Sequence, residues 1–140
     1  MSDKFFLDTN VVVYAFDHSS PAKLKIARRL IAQGVEQKRA VVSYQVVQEF
    51  VNVALRRFAS FMSQSEVEEF LFKALFPMTE ISSSSILVVE ALRLRSIHLL
   101  SWYDSLIVAG AIQAKCKILY SEDLHDGQRF GDLLVENPFR

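Results

Sequence analysis

The chain has one cysteine, four glycines and three prolines in 140 residues, and its sixteen basic side chains are cancelled by sixteen acidic ones. Each scarcity excludes something. A lone Cys116 rules out an internal disulfide framework and a cysteine-ligated zinc site, and it fits a reducing, cytoplasmic compartment. So few Gly and Pro argue against a disordered or low-complexity chain. Balanced charge gives no overall field to attract a polyanion, so nucleic-acid binding would need a local basic patch. No apolar run reaches the ~18 to 20 residues that span a bilayer, and Met1 to Lys4 leads into a run too short for a secretory signal. No membrane role is therefore expected.

What the chain does have is apolar mass: 51% hydrophobic residues, including 11 Phe. That suits one domain over residues 1–140, with roughly two-thirds of the unfolded surface buried. Phe5-Phe6-Leu7 reads as a short strand buried on both faces, with Asp8, Thr9 and Asn10 at its end. Ser20-Pro21 opens an amphipathic helix through Leu24, Ala27, Leu30 and Ile31, with Gly34 as its expected stop. Ala40 to Ser43 is a second strand, parallel to the first through a crossover. Val46, Val47, Phe50, Val51, Ala54 and Leu55 then share one helical face, and Glu49 lies off its centre.

Ser63 to Glu66 is a capping box for a further helix with Val67, Phe70, Leu71, Ala74 and Leu75 inward and Pro77 at its end. Phe58, Phe61 and Met62 in the preceding connection serve local packing or a partner surface. Met78 to Ile81 is a weak strand, Ser82 to Ser85 a turn and N-cap, Ile86 to Leu94 a helix, and Ser96 to Trp102 irregular. Asp104 opens a helix through Ile112 that is apolar on nearly every side and hence central. Cys116 to Tyr120 and Leu133 to Val135 are the last strands. Alternating strands and helices give a three-layer α/β fold with a mostly parallel sheet of about five strands flanked by helices.

In such sheets chemistry collects at the carboxyl ends of the strands. Asp8 and Asp123 follow strands, while Glu49 and Asp104 stand in or at the start of helices entered just after them. Singly, each acid has an ordinary role: a turn cap at Asp8, a dipole-matched helix start at Asp104, a surface pairing of Glu49 with Arg56 or Arg57, and a loop position at Asp123. Together at one edge they would repel and raise one another's pKa unless a cation is present. An oxygen-rich set suits Mg²⁺ or Mn²⁺, and His18, His98 and His125 lack the paired spacing of a zinc site. A hard divalent ion activates water and stabilises phosphoryl oxygens, which makes phosphodiester hydrolysis the natural chemistry. Asp8 and Asp104 would bind it directly, Asp123 directly or through water, with Asp126 as the alternative to Asp123. Glu49 would hold a second ion or orient water, and Thr9, Asn10 and Ser121 would fix the acids' rotamers.

Phe6 to Val11, Ser43 followed by Glu49, Trp102 to Ala109 and Leu119 to Asp123 resemble the four motifs of the PIN-domain ribonucleases. The closing Asn137-Pro138-Phe139 is similar to the ending of many VapC-type toxins. The resemblance implies a PIN fold and a metal-dependent endoribonuclease with catalytic Asp8, Glu49, Asp104 and Asp123. It also implies the toxin role in a toxin–antitoxin pair, a homodimer, an RNA substrate and a cognate antitoxin partner. Gly110, where similar sequences often have alanine, implies a close backbone approach. RNA contact would fall to Arg28, Arg29, Lys38, Arg39, Arg56, Arg57, Lys115 and Lys117 where they share the pocket rim. Two other functions fit parts of the pattern. A haloacid-dehalogenase-like phosphotransferase would use Asp8 as nucleophile and Asp123 with Asp126 for metal, but lacks an acid at Asn10. A non-catalytic RNA- or protein-binding module would leave the pocket idle.

Overall fold

The computed structural model describes residues 3–140. Six strands form one sheet in the order β3-β2-β1-β4-β6-β5: β1 (Phe5–Leu7), β2 (Ala40–Ser43), β3 (Thr79–Ile81), β4 (Ile118–Tyr120), β5 (Arg129–Phe130) and β6 (Leu133–Glu136). All neighbouring pairs are parallel except β5 with β6. The sheet has one strand more than expected, because the two-residue β5 is too short to leave a periodic signal. Phe6, Leu7, Val41, Val42 and Leu119 are fully buried, so the central strands are covered on both faces. The chain builds outward from β1 to β2 and β3, then returns to the other side of β1 with β4. Residues following β1 and β4 therefore meet at a topological switch point.

The helices are α1 (Thr9–Tyr14), α2 (Pro21–Gln37), α3 (Tyr44–Arg57), α4 (Gln64–Phe70), α5 (Phe76–Met78), α6 (Ser85–His98) and α7 (Trp102–Gln113), with a π turn at Leu71–Leu75 between α4 and α5. Gly34 does not stop α2, which runs on to Gln37 and is capped by Lys38 in the left-handed region at φ 55°. The glycine answers a different need: a Cβ there would stand 2.2 Å from the Ala40 Cβ, so the helix rests directly on the start of β2. The close approach expected at Gly110 is absent, since a Cβ there would meet its neighbours at 3.7 to 3.8 Å, ordinary contact distances.

The helical run stops at Met78 and its end is marked, as expected, by Pro77. The turn before it widens, with Phe76 N–H bonded to Leu71 O, and the proline sits in the first turn of α5, where its missing N–H is tolerated. The helix α6 continues to His98, four residues beyond Leu94. Cys116 is buried but precedes β4, its N–H bonded to Ala111 O at 3.1 Å. Phe58 and Met62 are buried while Phe61 stays 47% exposed, so the apolar connection serves packing at two positions and surface at the third. Phe16 knits this region together, its ring 4.7 Å from Phe70 and 5.5 Å from Phe50. No helix among the described residues is long and apolar enough to cross a membrane.

Candidate active site

Asp8 occupies the carboxyl end of β1 with 6% of its surface exposed. Its Oδ1 accepts from Thr9 N–H at 2.8 Å and so caps α1, while Oδ2 accepts from the Ser121 hydroxyl at 2.8 Å. Ser121 in turn accepts the Leu124 N–H at 3.2 Å, which leaves its own proton free for Asp8. One carboxylate thus ties the ends of β1 and β4 together. Burial pushes the Asp8 carboxyl up to about 6. The hydrogen bonds from Ser121 and Thr9 oppose the rise, and the charges of Asp104 and Asp123 add to it.

The same cleft, about 270 Å³, is lined by Glu49, Asp104 and Asp123 as well as Asp8, Thr9 and Asn10. Glu49 is half-buried on α3 and accepts the Thr9 hydroxyl at 2.6 Å rather than pairing with a nearby arginine. Arg57 instead pairs with Asp17. Asp123 is exposed, and its Oδ2 accepts from the Asn10 amide. Asp104 lies in the first turn of α7, which opens two residues earlier than expected because Ser101 caps it by accepting the Asp104 N–H at 3.2 Å. All four sequence-selected acids face one cleft, as do Thr9 and Asn10, and Ser121 touches Asp8 from beneath. Asp126 does not join them. It accepts from Asn137 N–H at 2.8 Å and pairs with Arg140, which also removes the metal motif of a dehalogenase-like site.

Gln45, Asn52 and Tyr103 also line the cleft, though sequence reasoning passed over them. A signal was present: Gln45, Glu49 and Asn52 recur at helical spacing, a polar stripe on an otherwise apolar helix. The loop carrying Asp123 is anchored from behind by Glu122, which accepts the Tyr14 hydroxyl at 2.6 Å and forms an ion pair with Lys23. Lys23 holds the Glu122 carboxyl below its ordinary range, with help from Tyr14. Phe139 closes this cluster, its ring 4.9 Å from Tyr14.

None of the basic residues expected to meet RNA lines the acid cleft. Arg28 donates to Ala15 O, Arg39 to Asp3 O, and Lys115 and Lys117 border a cleft at the opposite end of the sheet. The donor set is therefore anionic and amide oxygen with no cation of its own, and this fits a hard divalent ion better than a soft one. Among the described residues no group of three or more His, Cys, Asp or Glu side chains is placed to hold a metal by itself. An ion here would complete its shell with water and substrate oxygens, as Mg²⁺ commonly does.

The family model of the PIN domain matches residues 5–126. Among solved structures, the chain is similar to a toxin–antitoxin complex from Klebsiella pneumoniae at 17% identity and TM-score 0.68, covering 96% of this chain and 98% of that one. It is similar to VapBC2 from Rickettsia felis, bound to a promoter DNA fragment, at 21% identity and TM-score 0.62, covering 94% and 96%. A third likeness is to VapC20 of Mycobacterium tuberculosis, a sarcin–ricin-loop-cleaving toxin, at 18% identity and TM-score 0.65, covering 86% and 90%. No curated protein matches the chain. Identities this low speak to the fold.

Proposed function

We propose, from the premise that the chain belongs to the PIN domain family, that it is an endoribonuclease acting with Mg²⁺ or Mn²⁺, and the toxin of a toxin–antitoxin pair. One observation carries this proposal: a buried carboxylate at the sheet's switch point shares its cleft with three other acids and no basic side chain. A divalent ion bound there would lower the pKa of water and stabilise charge gathering on a phosphate oxygen.

Asp8, Asp104 and Asp123 are the residues that would hold the ion. Ser121 and Thr9 fix the Asp8 carboxylate in one orientation, and Asn10 does the same for Asp123. Glu49, whose carboxylate accepts the Thr9 hydroxyl, would orient the attacking water and accept its proton. The toxin assignment is supported by the likeness to toxin–antitoxin structures. An antitoxin presenting a basic side chain would complement a cleft that has none of its own. A homodimer is supported by α6, where Ile86, Val89, Leu92 and Ile97 are exposed.

The test is RNA cleavage by purified, antitoxin-free protein with Mg²⁺, with a chelator, and as Asp8→Asn. Cleavage should require both the ion and Asp8. Hydrolysis that persists through chelation and substitution alike would remove the mechanism.

A further inference from the structure

Among the described residues of the loop that joins β4 to β5, Asp123 alone lines the acid cleft. Its carboxylate accepts from the Asn10 amide, yet it is exposed and shares the cleft with three like charges. Until an ion arrives, those charges push it towards solvent. Something must hold the loop against that push.

The loop is tied on both sides of Asp123. Glu122, one residue before it, accepts from the Tyr14 hydroxyl and the Lys23 ammonium. Asp126, three residues after it, accepts from Asn137 N–H at 2.8 Å and from the Arg140 guanidinium at 3.4 Å. Residues 137–140, which follow β6, join the two ties. The Asn137 side-chain oxygen accepts Phe139 N–H at 2.9 Å and so turns the backbone. The Phe139 ring then meets Tyr14 edge-on at 4.9 Å, with the Lys23 ammonium 5.6 Å from its centre.

Stability alone is a poor reason for these ties. The Lys23 side chain is 37% exposed and the Arg140 side chain 73%, and ion pairs so open to water add little to folding. They can still restrict where a loop sits, and an ion binds more tightly when its ligand is already in place. We propose that residues 137–140, Tyr14 and Lys23 form a latch that holds Asp123 ready for the ion, which makes Lys23, Glu122 and Phe139 positioning residues of the nuclease. The inference rests on the proposed ion site, and charge gives it a sign. Lys23 is a cation behind an anionic cleft, so on electrostatics alone its removal should strengthen the binding of a metal ion. As part of a latch, its removal weakens that binding.

The experiment is calorimetric titration of Mn²⁺ into antitoxin-free, RNA-free protein, with melting temperatures recorded alongside. Wild-type protein should bind the ion and Asp8→Asn should not. Lys23→Ala and Phe139→Ala should each bind Mn²⁺ about tenfold more weakly, the loss that follows removal of a group supporting a metal ligand. Lys23→Arg should bind as wild type does. Arg93→Ala, which removes an exposed ion pair with Glu90 on α6, should leave Mn²⁺ binding unchanged. Single-turnover RNA cleavage by the latch variants at saturating Mn²⁺ should stay within about threefold of wild type, because the bound ion itself then holds the loop.

Lys23→Ala that binds Mn²⁺ as tightly as wild type, or more tightly, would overturn the latch, and it decides the matter if Phe139→Ala fails to fold. Phe139→Ala with a lower melting temperature and intact ion affinity would also overturn it, since the ring would then serve packing only. Wild-type cleavage separates the two claims. Latch-dependent ion binding without RNA cleavage sinks only the nuclease; Asp8-dependent cleavage with unchanged affinity in both latch variants sinks only the latch. A wild-type protein that takes up no Mn²⁺ sinks both.

Discussion

The two ends of the sheet differ in a way that size alone misjudges. At the amino ends of β1, β4 and β6 lies a cleft of about 700 Å³, bordered by Cys116, Phe130, Leu133, Lys115 and Lys117. At the carboxyl ends the acid cleft is less than half as large, at about 270 Å³. Yet of the six polar side chains buried among the described residues, Asp8 and Thr9 line the smaller site and Ser121 bonds Asp8 there, while Asp17, Ser43 and Ser105 lie elsewhere and none borders the larger cleft. The larger one offers a thiol that burial pushes up to about 12, which leaves it protonated and inert. Interior polarity costs stability and persists where it serves something; an open apolar hollow costs little. Chemistry is found by asking where folding accepted a penalty.

The sharpest way to break this contrast is one substitution at each end. Asp8→Asn should reduce metal-dependent RNA cleavage by about a thousandfold or more, the several kcal/mol expected for losing a metal-site carboxylate. Cys116→Ala at the other end should leave the rate within about twofold. Single-turnover rates at saturating Mg²⁺ measure both. Comparable losses from the two variants would mean the ends are not functionally distinct.

Next in size is a pH effect on the metal-free protein. Because the folded-state pKa of Asp8 lies above the ordinary 3.8, at about 6, the native state binds this proton more tightly than the unfolded chain does. The associated stability is fully present below about pH 4 and is lost as pH rises through about 6, roughly 3 kcal/mol in all. Chelated wild-type protein should therefore melt lower at pH 7.5 than Asp8→Asn does, with the gap closing near pH 4.5. Mg²⁺ should raise the wild-type melting temperature and leave that of Asp8→Asn nearly unmoved. Cys116→Ala should show no such pH-dependent gap, since its thiol stays protonated across this range.

Much of this asymmetry was legible before any coordinates. The buried strand at Phe5 to Leu7 and the acids at strand ends are visible because the runs are unbroken and the carboxylates interrupt apolar context. Thr9, Asn10 and Ser121 could be named as the groups that hold the acids, but not which acid each one meets: Asn10 meets Asp123 across 113 residues and Thr9 meets Glu49 across 40, separations that leave no local pattern. Ser101 looked like part of an irregular stretch, because a single cap three residues before Asp104 carries little weight beside the apolar residues around it. The roles of the glycines were exchanged: Gly34 read as a helix stop by residue type, but its real constraint is the distance to Ala40, which only packing reveals.

Those glycines supply the last and smallest test. Gly34 lies over the starts of β1 and β2, where an added Cβ would meet Ala40 at 2.2 Å and Phe5 at 3.1 Å. Gly34→Ala should cost about 2 kcal/mol, because two backbones must separate to admit one methyl. Gly110 faces Ser43 and Ile81 near the carboxyl ends, and an added Cβ would find every neighbour beyond 3.6 Å. Gly110→Ala should stabilise the protein by up to about 1 kcal/mol through helix propensity alone. Urea melts of the two variants measure both. Opposite signs would establish that the amino end is packed backbone to backbone while the helix over the carboxyl end admits one more methyl at Gly110. Loss of stability in both would mean that the sheet is equally tight at its two ends.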